Sequence, residues 1–219
     1  MKHLARRFLS DQEREQIDAA VRAAEKQTAG EIVCLIMASS YRYPMANVIG
    51  ATVLGLPLAL VLTHWIGAHY WIGTQNMWLF IGLFGVLFTA IYLLVDHTPW
   101  LKRRFISRLE IEEEVHEAAV TAFFNHGLYR TRDATGILVF VSVLEHKVWI
   151  LADHGINAKV PAGHWDALVA SITAGIRQKQ AAAAICTAVA SIGAILESHF
   201  PIRADDRDEL KSVIVGDGG

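Results

Sequence analysis

Glu31, Asp133 and Asp153 are the residues whose types and positions point most directly to chemistry. Each stands at the end of an apolar, strand-like run. Glu31 opens EIVCLIMA, Asp133 shortly precedes GILVFVSV, and Asp153 directly follows KVWILA. The short link LEH makes the last two runs a β-hairpin, so Asp133 and Asp153 come to one edge of a sheet. If the first run lies parallel to the second, its start brings Thr28 and Glu31 to the same edge. An oxygen-only donor set of this kind suits a hard cation, Ca²⁺ or Mg²⁺. Such a cation would also orient and polarise a phosphate. Arg130 and Arg132 flank the edge and His154 adjoins Asp153, which makes these three the candidate phosphate or partner contacts. The plainer alternative is structural. Asp133 would open a D-x-x-G turn, Asp153 would favour a turn before Gly155, and Glu31 would be a solvated strand end.

Other chemistries find less support. His116-Glu117 begins like a zinc-protease motif, but the fifth residue is Val120 rather than histidine. His126, His146 and His164 read as surface or capping histidines. The sequence contains no G-x-x-x-x-G-K-[ST], G-x-G-x-x-G or G-x-S-x-G, so nucleotide-loop and hydrolase readings have no footing. Twenty Lys/Arg against 22 Asp/Glu exclude a basic nucleic-acid binder. Cys34 and Cys186 each lie within an apolar run and read as buried free thiols in a reducing compartment. The acidic run 110–117 reads as the solvated face of a helix, with a contact for a basic partner as the sharper alternative.

The elements that position these residues are interrupted by a membrane segment. From Met45 to Val95 there is no Asp, Glu, Lys or Arg. A helix needs about 20 residues to cross the hydrocarbon, so this block holds two spans, over 46–66 and 76–96. Trp65, Tyr70, Trp71 and Trp78 cluster at the turn between them and Trp100 lies beyond the far end, as expected of interfacial aromatic belts. The turn carries no Lys or Arg, whereas Arg42, Lys102, Arg103, Arg104 and Arg108 flank the pair. The positive-inside rule then places both flanks, and both termini, in the cytoplasm of a multi-pass inner-membrane protein. His64 and Asp96 alone among ionisable residues sit near the span ends, which argues against transport by this chain alone. The polar start MKHLARRFLSDQEREQ has no apolar stretch of the signal-peptide kind.

Outside the hairpin, Ser10 and Glu13 form a capping box that opens a helix over 11–28. Helices are also expected over 103–126, 162–180 and 182–198, with Thr98-Pro99 breaking the second span. Strands are expected at 31–38, 136–143 and 147–152. The first two, joined through a crossover helix, form a right-handed parallel unit. The fold class is therefore α/β, an α/β/α sandwich on a small mixed sheet of three or four strands, interrupted by the two-helix hairpin. Residues 1–44 supply its first part, 45–97 the hairpin, 98–203 the remainder, and 204–219 a flexible tail.

Three stretches resemble the TPM domain family. T-x-G-E-I-V at Thr28–Val33 is similar to its first strand. G-L-Y-R-T-R-D-A-T-G-I-L-V-F-V at Gly127–Val141 is similar to its central segment, and V-W-I-L-A-D-H-G-I-N-A-K-V at Val148–Val160 to its third strand and following turn. The resemblance implies an α/β/α fold. Thylakoid members take part in photosystem II repair and are described as acid-phosphatase-like, and some members bind calcium. The loop that is often G-x-G in the family is Asp153-His154-Gly155-Ile156 here. Together these features lead to a membrane protein whose cytoplasmic TPM-like domain is an interaction or assembly module for unidentified membrane or cytoplasmic proteins, tuned by Ca²⁺ or Mg²⁺ at Glu31, Asp133 and Asp153. A weak metal-dependent phosphatase is the second reading, and a structural subunit of a membrane complex the third.

Overall fold

The computed structural model describes residues 4–161, 163–202 and 213–216. The chain divides into two compact units, one built on the apolar block and one on the sequences that flank it.

In the flanking unit, α1 (Leu4–Phe8) and α2 (Asp11–Glu25) precede β1 (Glu31–Met37). The Ser10 hydroxyl accepts from the Glu13 amide at 3.3 Å, and the Glu13 carboxylate accepts from the Ser10 amide at 2.8 Å, so the expected capping box is present. The helix ends at Lys26, earlier than 28. Thr28 turns away to bridge to Pro201 instead, and its Oγ1 donates to the Phe200 carbonyl at 2.7 Å.

The membrane-type unit follows. It holds α3 (Pro44–His69), α4 (Met77–His97) and α5 (Pro99–Arg103). Thr98 ends α4 and Pro99 starts α5, as the Thr-Pro step predicts. The buried stripe of α3 consists of Ala46, Asn47, Gly50, Ala51, Gly55, Ala59, Thr63 and Gly67. Small residues at about four-residue intervals let two backbones approach, which is how apolar helices associate without a hydrophobic drive between them. A Cβ at Gly55 would sit 3.5 Å from Ile91 on α4. At the base of the pair, buried Lys102 donates to Asp96 Oδ1 at 3.0 Å, and Asn47 Nδ2 donates to the same oxygen at 2.9 Å.

Helix α6 (Arg108–Asn125), expected as one helix from 103, instead starts after a break at 104–107. It leads to β2 (Gly136–Ser142), β3 (Lys147–Ala152), the single turn α7 (His154–Asn157), α8 (His164–Arg177), α9 (Ala181–His199) and β4 (Val213–Gly216). Gly163 adopts a left-handed conformation (φ 84°), and α8 begins after it, within the expected 162–180. The sheet has the order β3-β2-β1-β4. β1 is parallel to both β2 and β4, and β3 is antiparallel to β2. Glu31 pairs with Gly136, and Ile137 with Ala152.

The strand β4 corrects the expectation of a frayed tail from 204. Val213-Ile214-Val215 is a short run of strand formers, and it completes the open side of β1 against Cys34–Met37. The remaining tail positions lie outside the described residues.

Strand alternation divides the core. Ile32, Cys34, Ile36, Ile137, Val139, Val141, Val148 and Ile150 pack with Ile17 and Val21 of α2, Ile172 of α8, and Ile185, Val189, Ile192 and Leu196 of α9. Val33, Leu35, Leu138 and Phe140 point to the other face and are also buried. There α6 presents Val115, Ala119, Ala122 and Phe123, one face at helical spacing. The His116 and Trp149 rings meet at 4.9 Å, and Lys147 pairs with Glu112 at 3.0 Å, fixing α6 over β3. This is the α/β/α arrangement expected.

Among the described residues, three helices are long and apolar enough to cross a membrane: α3, α4 and α9.

Candidate functional site

The edge predicted to gather Glu31, Asp133 and Asp153 exists. The Glu31 amide donates to the Thr135 carbonyl at 3.2 Å, and the Asp153 amide to the Gly136 carbonyl at 2.9 Å. Thr135 Oγ1 donates to the Ala29 carbonyl at 2.9 Å, and its own amide donates to Thr131 Oγ1 at 3.0 Å. Three stretches distant in sequence are thus tied at the 131–136 turn. Gly155 comes so close to this turn that a Cβ there would lie 2.7 Å from both the Asp133 and Ala134 carbonyl oxygens.

The side chains are placed differently from one another. Glu31 is buried, at 7% exposure. Asp133 is half-buried on the turn. Asp153 caps α7: its Oδ1 accepts from the His154 amide at 2.6 Å and from His154 Nδ1 at 3.0 Å. Its Oδ2 is buried without a hydrogen-bond partner. His154 itself is exposed. Among the described residues, no group of three or more His, Cys, Asp or Glu side chains is placed to hold a metal ion. The three carboxylates therefore share an edge without forming a chelating set. Glu25, which sequence reasoning missed, also reaches this region from the end of α2, where Oε1 accepts from the Ile32 amide at 3.0 Å.

Arg130 and Arg132 are exposed. Arg130 belongs to a patch that the sequence did not advertise. Its Nε donates to the Tyr129 hydroxyl at 2.8 Å, and its guanidinium lies 5.2 Å from the Tyr129 ring centroid. The Tyr129 ring in turn meets Phe124 at 5.3 Å. Phe124 and Tyr129 are 57% and 43% exposed, unusual for two aromatics in contact on a soluble face. Gly127, left-handed at φ 75°, ends α6 and folds the chain back so that residues on either side of it meet. The two aromatics flanking a glycine cap were the available signal.

At the opposite end of the strands, Glu145 is buried (1% exposed) in the hairpin link. Its Oε1 accepts from the Ser40 amide at 2.9 Å, its Oε2 accepts from Ser142 Oγ, and Ser40 Oγ lies 3.0 Å from Ser142 Oγ. This network ties the segment after β1 to the β2–β3 link. Its sequence signal was Ser142-x-x-Glu145, a carboxylate placed where an apolar hairpin ends.

Residues 105–195 match the family model of the TPM domain, from α6 through most of α9. Over this stretch the chain is similar to the TPM domain. No curated protein matches it. Among solved structures, the NMR structure of the BA42 protein from the psychrophilic bacterium Bizionia argentinensis is similar. The TM-score is 0.58 at 21% identity, over 95% of each chain. That likeness shows the fold. The match spans Phe124, Tyr129, Arg130, Asp133, Glu145 and Asp153, so both ends of the hairpin lie inside the matched stretch.

Proposed function

We propose that this chain is a membrane-anchored protein whose TPM domain docks a protein partner. The observation that carries the docking reading is the exposed Phe124–Tyr129–Arg130 patch. Aromatic residues and arginine are the side chains most often responsible for interface affinity, and here they are already held against one another before any partner arrives. For anchoring, α3 and α4 are the spans. Only 6% of the most apolar window of α4 is buried, whereas α9 is occupied in the core against α2 and the sheet. Lys and Arg on both flanks, and none in the turn, support a cytoplasmic TPM domain at the inner membrane.

The test is in-cell crosslinking followed by quantitative capture, with wild type beside Phe124→Ala/Tyr129→Ala and a second variant, Asp133→Asn/Asp153→Asn. The aromatic variant is expected to lose wild-type partners at least tenfold while inserting normally. Undiminished capture by that variant would remove the docking reading.

A second reading has one observation in its favour. Asp153 Oδ2 is a buried carboxylate oxygen with no donor, a costly arrangement unless a cation or water meets it. Calcium and magnesium titrations that raise the melting temperature of wild type but not of Asp153→Asn would support cation binding, and with it the phosphatase alternative. A flat response in both would leave the docking reading alone.

A further inference from the structure

A cleft of about 420 Å³ opens in the TPM-domain unit on the side of the sheet that carries α8. Phe8 of α1, Val141 and Val143 at the end of β2, and Ile176 of α8 give it apolar walls. Ser142 and Thr173 contribute hydroxyls. His146, Arg177 and Lys179 supply nitrogen donors, and no carboxylate lines it. The volume falls in the range of small-molecule sites, which are mostly apolar with a few convergent polar groups. Among the described residues, neither Arg177 nor Lys179 enters an ion pair. Glu145, the acid next to His146 in the chain, has its oxygens engaged by Ser142 and Ser40.

Two of the three basic residues stand on backbone that disfavours any side chain. His146 has φ 53° and Lys179 φ 60°. Glycine would hold either turn with less strain. The chain instead carries a nitrogen base at each, both facing one cleft. Strained positions of this kind cluster where a ligand is held. Arg177 has a separate structural use, because a cation complements the C-terminal end of α8. That use does not account for Lys179 or His146, which lie beyond the helix and in the hairpin link.

We infer that this cleft binds an amphiphilic phosphate, a phosphate monoester head on a short apolar group. Arg177 and Lys179 would neutralise the head, with Thr173 and His146 as further donors, and the apolar walls would cover the tail. A guanidinium beside an ammonium suits a doubly charged oxyanion better than a single carboxylate. The inference does not rest on the docking patch at Phe124 and Tyr129, which involves none of these residues.

The experiment uses the full chain in phosphatidylcholine nanodiscs and measures calorimetric binding of hexyl phosphate, inorganic phosphate and hexanol. Hexyl phosphate is expected to bind at least tenfold more tightly than either of the others. Arg177→Gln/Lys179→Gln is expected to lose that affinity at least tenfold. Lys179→Gly separates binding from folding: it removes the charge and relieves the left-handed strain, so affinity is expected to fall while the melting temperature holds or rises. Lys179→Arg is expected to retain binding. Doping the nanodiscs with phosphatidic acid distinguishes the sources. Competition with hexyl phosphate identifies a lipid head group as the occupant, and undiminished binding identifies a soluble ester. Equal binding of hexyl phosphate and hexanol, or unchanged affinity in the double variant, would overturn the inference.

Discussion

Gly155→Ala offers a clean measurement of how tightly the acidic edge is built. Gly155 does not adopt a left-handed conformation, so alanine meets no conformational objection and the whole effect is steric. The new Cβ would lie 2.7 Å from two carbonyl oxygens, those of Asp133 and Ala134, and ordinary contact begins near 3.4 Å. The turn must therefore retreat by about 0.7 Å. It is held in place by Ala134 N to the Thr131 carbonyl at 3.1 Å, Thr135 N to Thr131 Oγ1 at 3.0 Å, and Asp153 N to the Gly136 carbonyl at 2.9 Å. Forcing a group into a site this well packed costs about 1–3 kcal/mol. At about 2–4 °C per kcal/mol for a chain of this size, the melting temperature should fall by roughly 2–12 °C. Near-UV circular dichroism of the detergent-purified chain reads the transition. Gly85→Ala on α4 is the control: a Cβ there meets nothing within 4 Å, and alanine favours the helix, so no loss is expected. If Gly155→Ala melts within a degree of wild type, the turn is not pinned as described.

Three further outcomes follow from particular side chains. Burial, with smaller contributions from Cys186 and Glu25, pushes the Cys34 thiol up to about 12, so it should resist a disulfide reagent at pH 8 until the chain unfolds. Because the unfolded thiol ionises first, stability should fall as pH rises from about 9 towards 12, by about 1.4 kcal/mol per unit, and Cys34→Ala should lack this loss. Hydrogen bonds from the Ser10 hydroxyl and amide hold the Glu13 carboxyl below its ordinary value. Their contribution is present above that value and is lost as pH falls through the lowered one, and Ser10→Ala should cost about 0.5–2 kcal/mol in a denaturant titration at pH 7. Glu145→Ala strands the Ser40 amide and the Ser142 hydroxyl, and a loss of about 1–3 kcal/mol per unsatisfied group should appear in the same titration.

Much of the frame was legible because its signals are local. Ser10 and Glu13 announce a helix start, Thr98-Pro99 a helix end, and the uncharged run from Met45 to Val95 two apolar helices. Pairing of β1 with β2 followed from the crossover between them, which is why the edge joining Glu31, Asp133 and Asp153 was placed correctly. Side-chain direction was not legible: Asp153 spends one oxygen on its own helix cap, a choice set by the local turn after β3. The Phe124–Tyr129 contact depends on how far the chain reverses at Gly127, and the basic cleft draws on α1, the hairpin link and the end of α8, stretches that no spacing connects. β4 was hidden because four strand residues sit among polar ones, and only the open side of β1 gives them a role.

The position of β1 at the centre of the sheet has a consequence for biogenesis. Its neighbours are β2, made only after residues 38–135, and β4, at Val213–Gly216. At about 5–20 residues per second, the ribosome needs roughly 5–20 s to supply the first neighbour. During that interval the almost wholly apolar EIVCLIM strand has no strand partner while the apolar helices α3 and α4 are being made. The sheet cannot close before α3 and α4 have been synthesised, and it cannot cover both sides of its first strand before residues 213–216 have been made. Formation of the apolar helix pair and closure of the sheet are therefore ordered by the chain itself, and a product lacking β4 would leave one edge of β1 open to pairing with another chain.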